Sequence, residues 1–214
     1  MTRLIVVRHA QSIANKEQVF IGHKDMDLTE TGHKQAKLLG EYLIKKAYPI
    51  SAIYSSDLLR PYHTAKPYAE AVSMEIIKDK GLREIFAGDW EGHKFADLPV
   101  LFPESYDVWL HDIGNCQTNG GESVKDLYKR INSTVDRIAE ENDGKTVLIA
   151  THATPLRCLY ARARGVGTDG MKDIKWCENT ALNIFEYSEG VLSAVELNIC
   201  EHLGVLRTDL PSTV

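Results

Sequence analysis

Leu4-Ile5-Val6-Val7-Arg8-His9-Ala10-Gln11-Ser12 runs four apolar residues straight into an arginine, a histidine and small polar side chains. An apolar run this short, bounded by polar residues, reads as a buried strand. In open α/β sheets ligands collect outside the carboxyl ends of strands, so Arg8 and His9 would be aimed into such a crevice. Arg8 brings a planar fork suited to phosphate, and His9 a nucleophile or proton carrier. On this stretch alone a surface ion pair for Arg8 and a satisfied core histidine for His9 are the simpler account of the residues. The remainder of the chain has to decide between the two.

The same design recurs downstream. Ile50-Ser51-Ala52-Ile53-Tyr54 leads into Ser55-Ser56-Asp57 and then a helical face of Leu58, Tyr62, Ala65, Ala69 and Val72, with Arg60 in its first turn. Pro61 at that turn is expected to cost one helical hydrogen bond. Lys145-Thr146-Val147-Leu148-Ile149-Ala150-Thr151-His152 again delivers a histidine from an apolar strand, and a helix follows with Thr154 as cap, Pro155 at its first position and Gly165 as stop. His152 and the backbone N–H of Ala153 then sit at a helix N-terminus, which favours anions.

Between these units, Ala36, Leu39, Leu43 and Ala47 predict a helix from about Thr31 to Ala47, and Glu75-Ile76-Ile77 a short third strand. Gly81 to Gly121 breaks the rhythm, with Trp90, Phe95, Phe102, Tyr106 and Trp109 among Gly, Pro and acidic residues. It reads as an insertion over one edge, with a short helix near His93 to Leu101. Ser123 and Asp126 form a capping pair ahead of a helical face from Val124 to Ile138, ended by Asp143-Gly144. Two further strands are expected near Ala181–Tyr187 and Val191–Asn198, and the last dozen residues read as a tail. The expected fold is α/β: a three-layer α/β/α sandwich with a mostly parallel sheet, one domain over 1–214, and a substrate-facing insertion at about 86–121.

Composition excludes other classes. A formal charge of -5 argues against nucleic acid and anionic membranes, which demand clustered basic residues. No apolar run approaches the roughly 18 residues of a membrane span, and the N-terminal run is too short for a signal-peptide core. Cys116, Cys158, Cys177 and Cys200 contain no C-x-x-C and match neither a zinc site nor a disulfide framework. The expectation is a soluble, cytoplasmic protein with reduced thiols. Three strand ends offering Arg8-His9, Arg60 and His152 suit phosphoryl transfer through a phosphohistidine, with no metal and no cofactor required.

The ordered motifs carry a resemblance. They are Arg8-His9-Ala10-Gln11-Ser12-Ile13-Ala14-Asn15, Gly22-x-x-Asp25-x-x-Leu28-Thr29-x-x-Gly32-x-x-Gln35-Ala36 and Ser55-Ser56-Asp57-Leu58-x-Arg60-x-x-x-Thr64-Ala65. They continue through Leu82-Arg83-Glu84-Ile85-Phe86-Ala87-Gly88-Asp89-Trp90-Glu91-Gly92, Gly120-Gly121-Glu122-Ser123 and Thr151-His152-Ala153-Thr154-Pro155-Leu156-Arg157. Together they resemble the histidine phosphatase superfamily, which includes the cofactor-dependent phosphoglycerate mutases. The resemblance implies His9 as nucleophile, Arg8 and Arg60 as phosphate clamp, and His152 as second phosphate-contacting histidine. It implies Glu84 as proton donor to the leaving oxygen, a choice composition could not make among thirty acidic residues, with Glu91 as a structural carboxylate. Asn15 matches a phosphate-supporting position, a helix cap or turn being the alternative.

This chain departs from the family pattern in having Ala10 and Ala153 where glycine is usual, tolerable only at negative φ. Pro61 and Asp27 are further departures, and none removes a catalytic group. His23 and His93, and more weakly Lys24 and His111, lie in segments able to line the substrate mouth. The implied activity is a metal-independent phosphomonoester hydrolase for a small phosphorylated substrate, with a phosphoglycerate mutase or a non-catalytic phosphate-binding scaffold as alternatives. Oligomeric state, monomer or homodimer, is left open.

Overall fold

In the computed structural model, which describes residues 1–208, the opening stretch becomes β1 (Thr2–Arg8), and Leu4 to Val7 are completely buried. Leu4 and Val6 join one hydrophobic cluster, Ile5 and Val7 another. A strand covered on both faces has no polar side to show, which is why its sequence is a continuous apolar run. The chain continues as α1 (Ile13–Glu17), α2 (Glu30–Lys46), β2 (Ile50–Ser55), α3 (Leu59–Ala71), β3 (Ile76–Lys78), α4 (Leu98–Leu101) and α5 (Pro103–His111). It is completed by α6 (Val124–Glu141), β4 (Thr146–Thr151), α7 (Ala153–Ala163), β5 (Leu182–Ser188) and β6 (Val191–Ile199).

The six strands form one sheet in the order β3-β2-β4-β1-β5-β6. The first four are mutually parallel, while β5 and β6 are antiparallel. Leu39 and Leu43 of α2 and Ala65, Tyr68 and Ala69 of α3 pack with Ile5 and Val7 on one face. Leu127, Ile131 and Val135 of α6 and Leu156 and Leu159 of α7 pack with Leu4 and Val6 on the other, giving three layers. Gly40 lets α2 and α3 approach closely, since a Cβ there would lie 3.1 Å from the Tyr68 nitrogen. Emptying the α2 side at Leu39 by substitution with alanine would cost about 2–5 kcal/mol.

The register sets the site. β1 and β4 are neighbours with Arg8 opposite Thr151, so the residues that follow, His9 and His152, leave the sheet side by side. The β1–β4 ladder thus fixes their separation before any side chain is considered.

Several local expectations are corrected. The helix placed near His93 to Leu101 is only the short α4, and the longer helix is α5, started by Pro103 at its first position. Helix α7 begins two residues earlier than expected: His152, not Thr154, is its N-cap, and Pro155 is its third residue. Pro61 is likewise the third residue of α3, within the first turn where backbone N–H groups have no helical acceptor, so it costs no helical bond. The supposed tail is partly packed. Leu203 is buried, Gly204–Leu206 forms a 3-10 turn, and Gln35 donates to the Leu206 carbonyl at 2.8 Å. The rest of that expected tail, 209–214, lies outside the described residues.

Candidate active site

His9 is 4% exposed, and its backbone is tied on three sides. Its N–H donates to the Thr151 carbonyl at 2.9 Å, and its own carbonyl accepts from Asn179 Nδ2 at 2.8 Å. One residue earlier, the Arg8 carbonyl accepts from Thr180 N–H at 3.1 Å. The His9 ring contacts the Ala10 carbonyl through Nδ1 at 2.7 Å. A carbonyl only accepts, so Nδ1 carries the hydrogen and Nε2 keeps its lone pair. Burial, with the Arg60 and Arg8 charges beside it, holds this imidazole well below its usual range, so it is neutral at pH 7. The His152 ring meets it edge-on, centroids 5.2 Å apart and planes at 67°. His152 is fully buried and also depressed, by burial first and the Arg60 charge second. Its Nε2 lies 3.0 Å from Ser56 Oγ and its Nδ1 has no partner.

Two guanidinium groups flank the histidines. Arg8 donates to the Cys177 carbonyl at 2.7 Å, and its Nε is buried without a partner. Arg60, 1% exposed, donates to the carbonyls of Gly22 (2.8 Å) and Lys24 (3.2 Å). Neither forms an ion pair among the described residues, whereas Arg83, Arg130 and Arg162 all do. Burial lowers Arg60 to about 10. A buried cation without a carboxylate is costly, and an incoming anion would remove that cost. Gly22, which accepts from Arg60, has φ +44, and a Cβ there would fall 2.2 Å from Glu91 Oε1. Glu91 accepts from the backbone N–H of His23 (2.7 Å) and Ala87 (3.2 Å), the structural role expected for it.

Glu84 faces the same cavity, its carboxylate accepting from Ile85 N–H at 2.9 Å and Thr154 N–H at 3.4 Å. Its backbone is held by Arg130, which donates to the carbonyls of Gly81 (2.9 Å), Arg83 (3.0 Å) and Glu84 (3.1 Å) while pairing bidentately with Glu122. His23 adds a contact to the Glu84 carbonyl at 2.8 Å. Asn15 completes a capping box with Ser12, as the helix-cap reading expects, and also lines the cavity. Ala153 and Thr154 open the first turn of α7 onto the cavity. Neither Ala10 nor Ala153 has positive φ, so neither strains the backbone.

Arg8, His9, Asn15, Arg60, Glu84 and Ala153 therefore share one cavity, with His152 against His9. His23 touches Glu84 rather than the cavity, His93 and His111 are exposed away from it, and Lys24 is engaged by the Glu91 carbonyl. Three features went unread in the sequence. Arg130 sits on α6, 46 positions from Glu84, and belongs to no motif. Asn179 lies between Glu178 and Thr180 in the segment leading to β5, where nothing in the sequence distinguishes it. Four aromatic residues, Phe20, Phe95, Trp109 and Trp176, form one wall of the cavity. Only the aromatic density of the 81–121 segment signalled part of that wall. Among the described residues no group of three or more His, Cys, Asp or Glu side chains could hold a metal, and no helix is long and apolar enough to cross a membrane.

The sequence profile of the histidine phosphatase superfamily (branch 1) matches residues 4–200, and the chain belongs to that superfamily. It is an enzyme of the phosphatase type. Phosphoserine phosphatase 1 of Hydrogenobacter thermophilus is 33% identical over 204 residues, covering 95% of each chain. Phosphoglycerate mutase-like protein 4 of Arabidopsis thaliana is 32% identical, over 87% of this chain and 80% of its own. The solved structure of Bacillus stearothermophilus YhfR superposes with a TM-score of 0.89 at 29% identity, over 95% of this chain and all of that one.

Proposed function

We propose that this protein hydrolyses monoesters of phosphate through a phosphohistidine on His9, without a metal. The observation that carries the reading is a neutral His9 between two buried guanidinium groups that have no carboxylate, in a cavity shared with Glu84. Arg8 and Arg60 grip the non-bridging oxygens, joined by Nδ1 of His152 and the N–H groups at the start of α7. His9 Nε2 attacks phosphorus as the bond to the leaving oxygen breaks, and Glu84 gives that oxygen its proton. Glu84, now a carboxylate, takes a proton from water as the water attacks the phosphohistidine. Phosphate leaves, and His9 and Glu84 return to their starting states. Asn15 supports the phosphate while capping α1.

Water rather than a second phosphate acceptor takes the phosphoryl group. Among the described residues the cavity is lined by no cation besides Arg8 and Arg60, and a mutase needs further cations to hold a bisphosphorylated intermediate. The catalytic domain is read as residues 1–214, with 86–121 facing substrate because Phe95 and Trp109 come from it. Four buried free thiols fit a reducing, cytoplasmic setting. The test is to quench the enzyme in mid-turnover of p-nitrophenyl phosphate. Acid-labile phosphate should map to His9, and His9→Ala should abolish both label and turnover. Label on a serine or a carboxylate would overturn the mechanism.

A further inference from the structure

The cavity is about 70 Å³ and opens to solvent at its mouth, and its lining falls into two chemically different sets of residues. One set is His9, Arg8, Arg60 and Glu84, all engaged by the phosphoryl group in the mechanism above. The other is Phe20, Phe95, Trp109 and Trp176, with the aliphatic Val19 and Ile21. We propose that this aromatic wall is a leaving-group subsite, and that the substrates are phosphomonoesters of alcohols carrying a flat aromatic or similarly apolar group, not of charged alcohols such as serine or glycerate. The proposal rests on the phosphatase reading of the same site.

The first argument is what the wall lacks. Phosphoserine would bring a carboxylate and an ammonium beside its phosphate, and phosphoglycerate a carboxylate. The lining cations are Arg8 and Arg60, and the lining acid is Glu84, whose proton the leaving oxygen needs. A second ion would lose its water against tryptophan and phenylalanine and gain no partner. Lys24, two residues beyond the lining Gly22, is already donating to the Glu91 carbonyl at 2.6 Å.

The second argument is that the wall is built before substrate arrives. Phe20 packs against Trp109 (centroids 5.4 Å), Trp90 (5.6 Å) and Phe95 (5.3 Å). Trp109 continues to Trp176 at 6.1 Å with the rings inclined by only 31°, and the Arg157 guanidinium lies 4.1 Å over the Trp176 ring. Phe20 and Trp109 are buried, whereas Phe95 and Trp176 remain half-exposed, so the wall has apolar surface still to cover. Rings held by one another spend little rotamer freedom on binding, which lets apolar burial count toward affinity.

The experiment compares alcohols of nearly equal acidity, so that chemistry is constant and only contact varies. Measured kcat/KM for 2-phenylethyl phosphate should exceed that for ethyl phosphate by at least about 10-fold, and O-phosphoserine should fare no better than ethyl phosphate. Trp176→Ala, at a half-exposed position the fold can spare, should lower the ratio of phenylethyl to ethyl phosphate by about 10-fold. Trp109→Phe should lower it less, and circular dichroism on each variant keeps misfolding separate. If ethyl phosphate or phosphoserine is turned over as well as the phenylethyl ester, the subsite assignment is wrong and the phosphatase reading stands. If p-nitrophenyl phosphate is not hydrolysed either, the phosphatase reading falls and takes this proposal with it.

Discussion

Replacing Arg130 with methionine, which keeps the length of the side chain and removes its charge, should both destabilise the protein and slow it. Arg130 makes five hydrogen bonds, three to the carbonyls of Gly81, Arg83 and Glu84 and two to Glu122. Breaking a fully buried ion pair costs about 3–5 kcal/mol, because the abandoned partner keeps its desolvation penalty. Here the side chains of Arg130 and Glu122 retain 25% and 15% exposure, so water can rescue part of the loss. Glu122 also keeps one donor, the Phe86 N–H at 3.2 Å. A cost of about 2–4 kcal/mol is therefore expected, read as a lower urea midpoint at unchanged m-value. Because Arg130 holds the backbone on which Glu84 is mounted, kcat/KM for alkyl phosphates should fall more than for aryl phosphates. Glu122→Gln should be milder, since the amide retains an acceptor for the guanidinium. An unfolding free energy within about 0.5 kcal/mol of the parent, the range of ordinary surface changes, with unaltered kinetics would refute the reasoning.

Other outcomes follow from the same geometry. Glu84→Gln should slow alkyl phosphates far more than p-nitrophenyl phosphate, whose leaving group departs without a proton; equal losses would move the acid elsewhere, Asp89 being next to test. Turnover should persist in EDTA, and vanadate should inhibit, since the two guanidinium groups supply the charge; activity lost to chelator and restored by a divalent ion would contradict this. Stability should fall on acidification below about pH 6.5. His9 and His152 are held well below the usual histidine range and His202 is lowered to about 4, chiefly by burial. Each stays neutral in the fold while the unfolded chain takes up a proton, so stability is complete above the unfolded pKa and drains away below it. Each histidine accounts for up to about 1 kcal/mol between pH 7.5 and 5.5. His202→Gln should flatten the measured pH profile of unfolding, and an unchanged slope would count against it.

What could be read from sequence and what could not divide on a physical line. Leu4 to Val7 and Val147 to Ala150 are legible because burial on both faces leaves a continuous apolar run, and the residues ending those runs are therefore placed by the sheet itself. Arg60 could be read from the first turn of the helix that follows the second strand, whereas Glu84 needed the family pattern, since nothing in the chemistry of one glutamate marks it out. Arg130 was invisible because three of its five hydrogen bonds go to backbone carbonyls, which every residue carries, and the other two to a glutamate eight positions away that forms no helix-spaced pair with it. Trp176 was invisible because a tryptophan in an irregular segment looks the same whether it covers core or lines a cavity. The start of α7 was misplaced by two residues because Thr154-Pro155 is a good capping sequence. Here β4 hands over directly to the helix, and the cap falls on His152.

Two buried guanidinium groups with no directly ion-paired carboxylate, only the more distant charge of Glu84 acting on both, make phosphate a folding partner as well as a product. A ligand at 100 times its dissociation constant, bound only by the folded chain, adds about 2.7 kcal/mol of stability. Melting temperatures taken in phosphate buffer and in a zwitterionic buffer would accordingly describe two different thermodynamic systems. The same grip acts against turnover, for the tighter the arginines hold the released oxyanion, the longer it occupies the site. Inorganic phosphate is thus expected to be a competitive product inhibitor, and the enzyme's working rate in a phosphate-rich compartment is set partly by departure of the product.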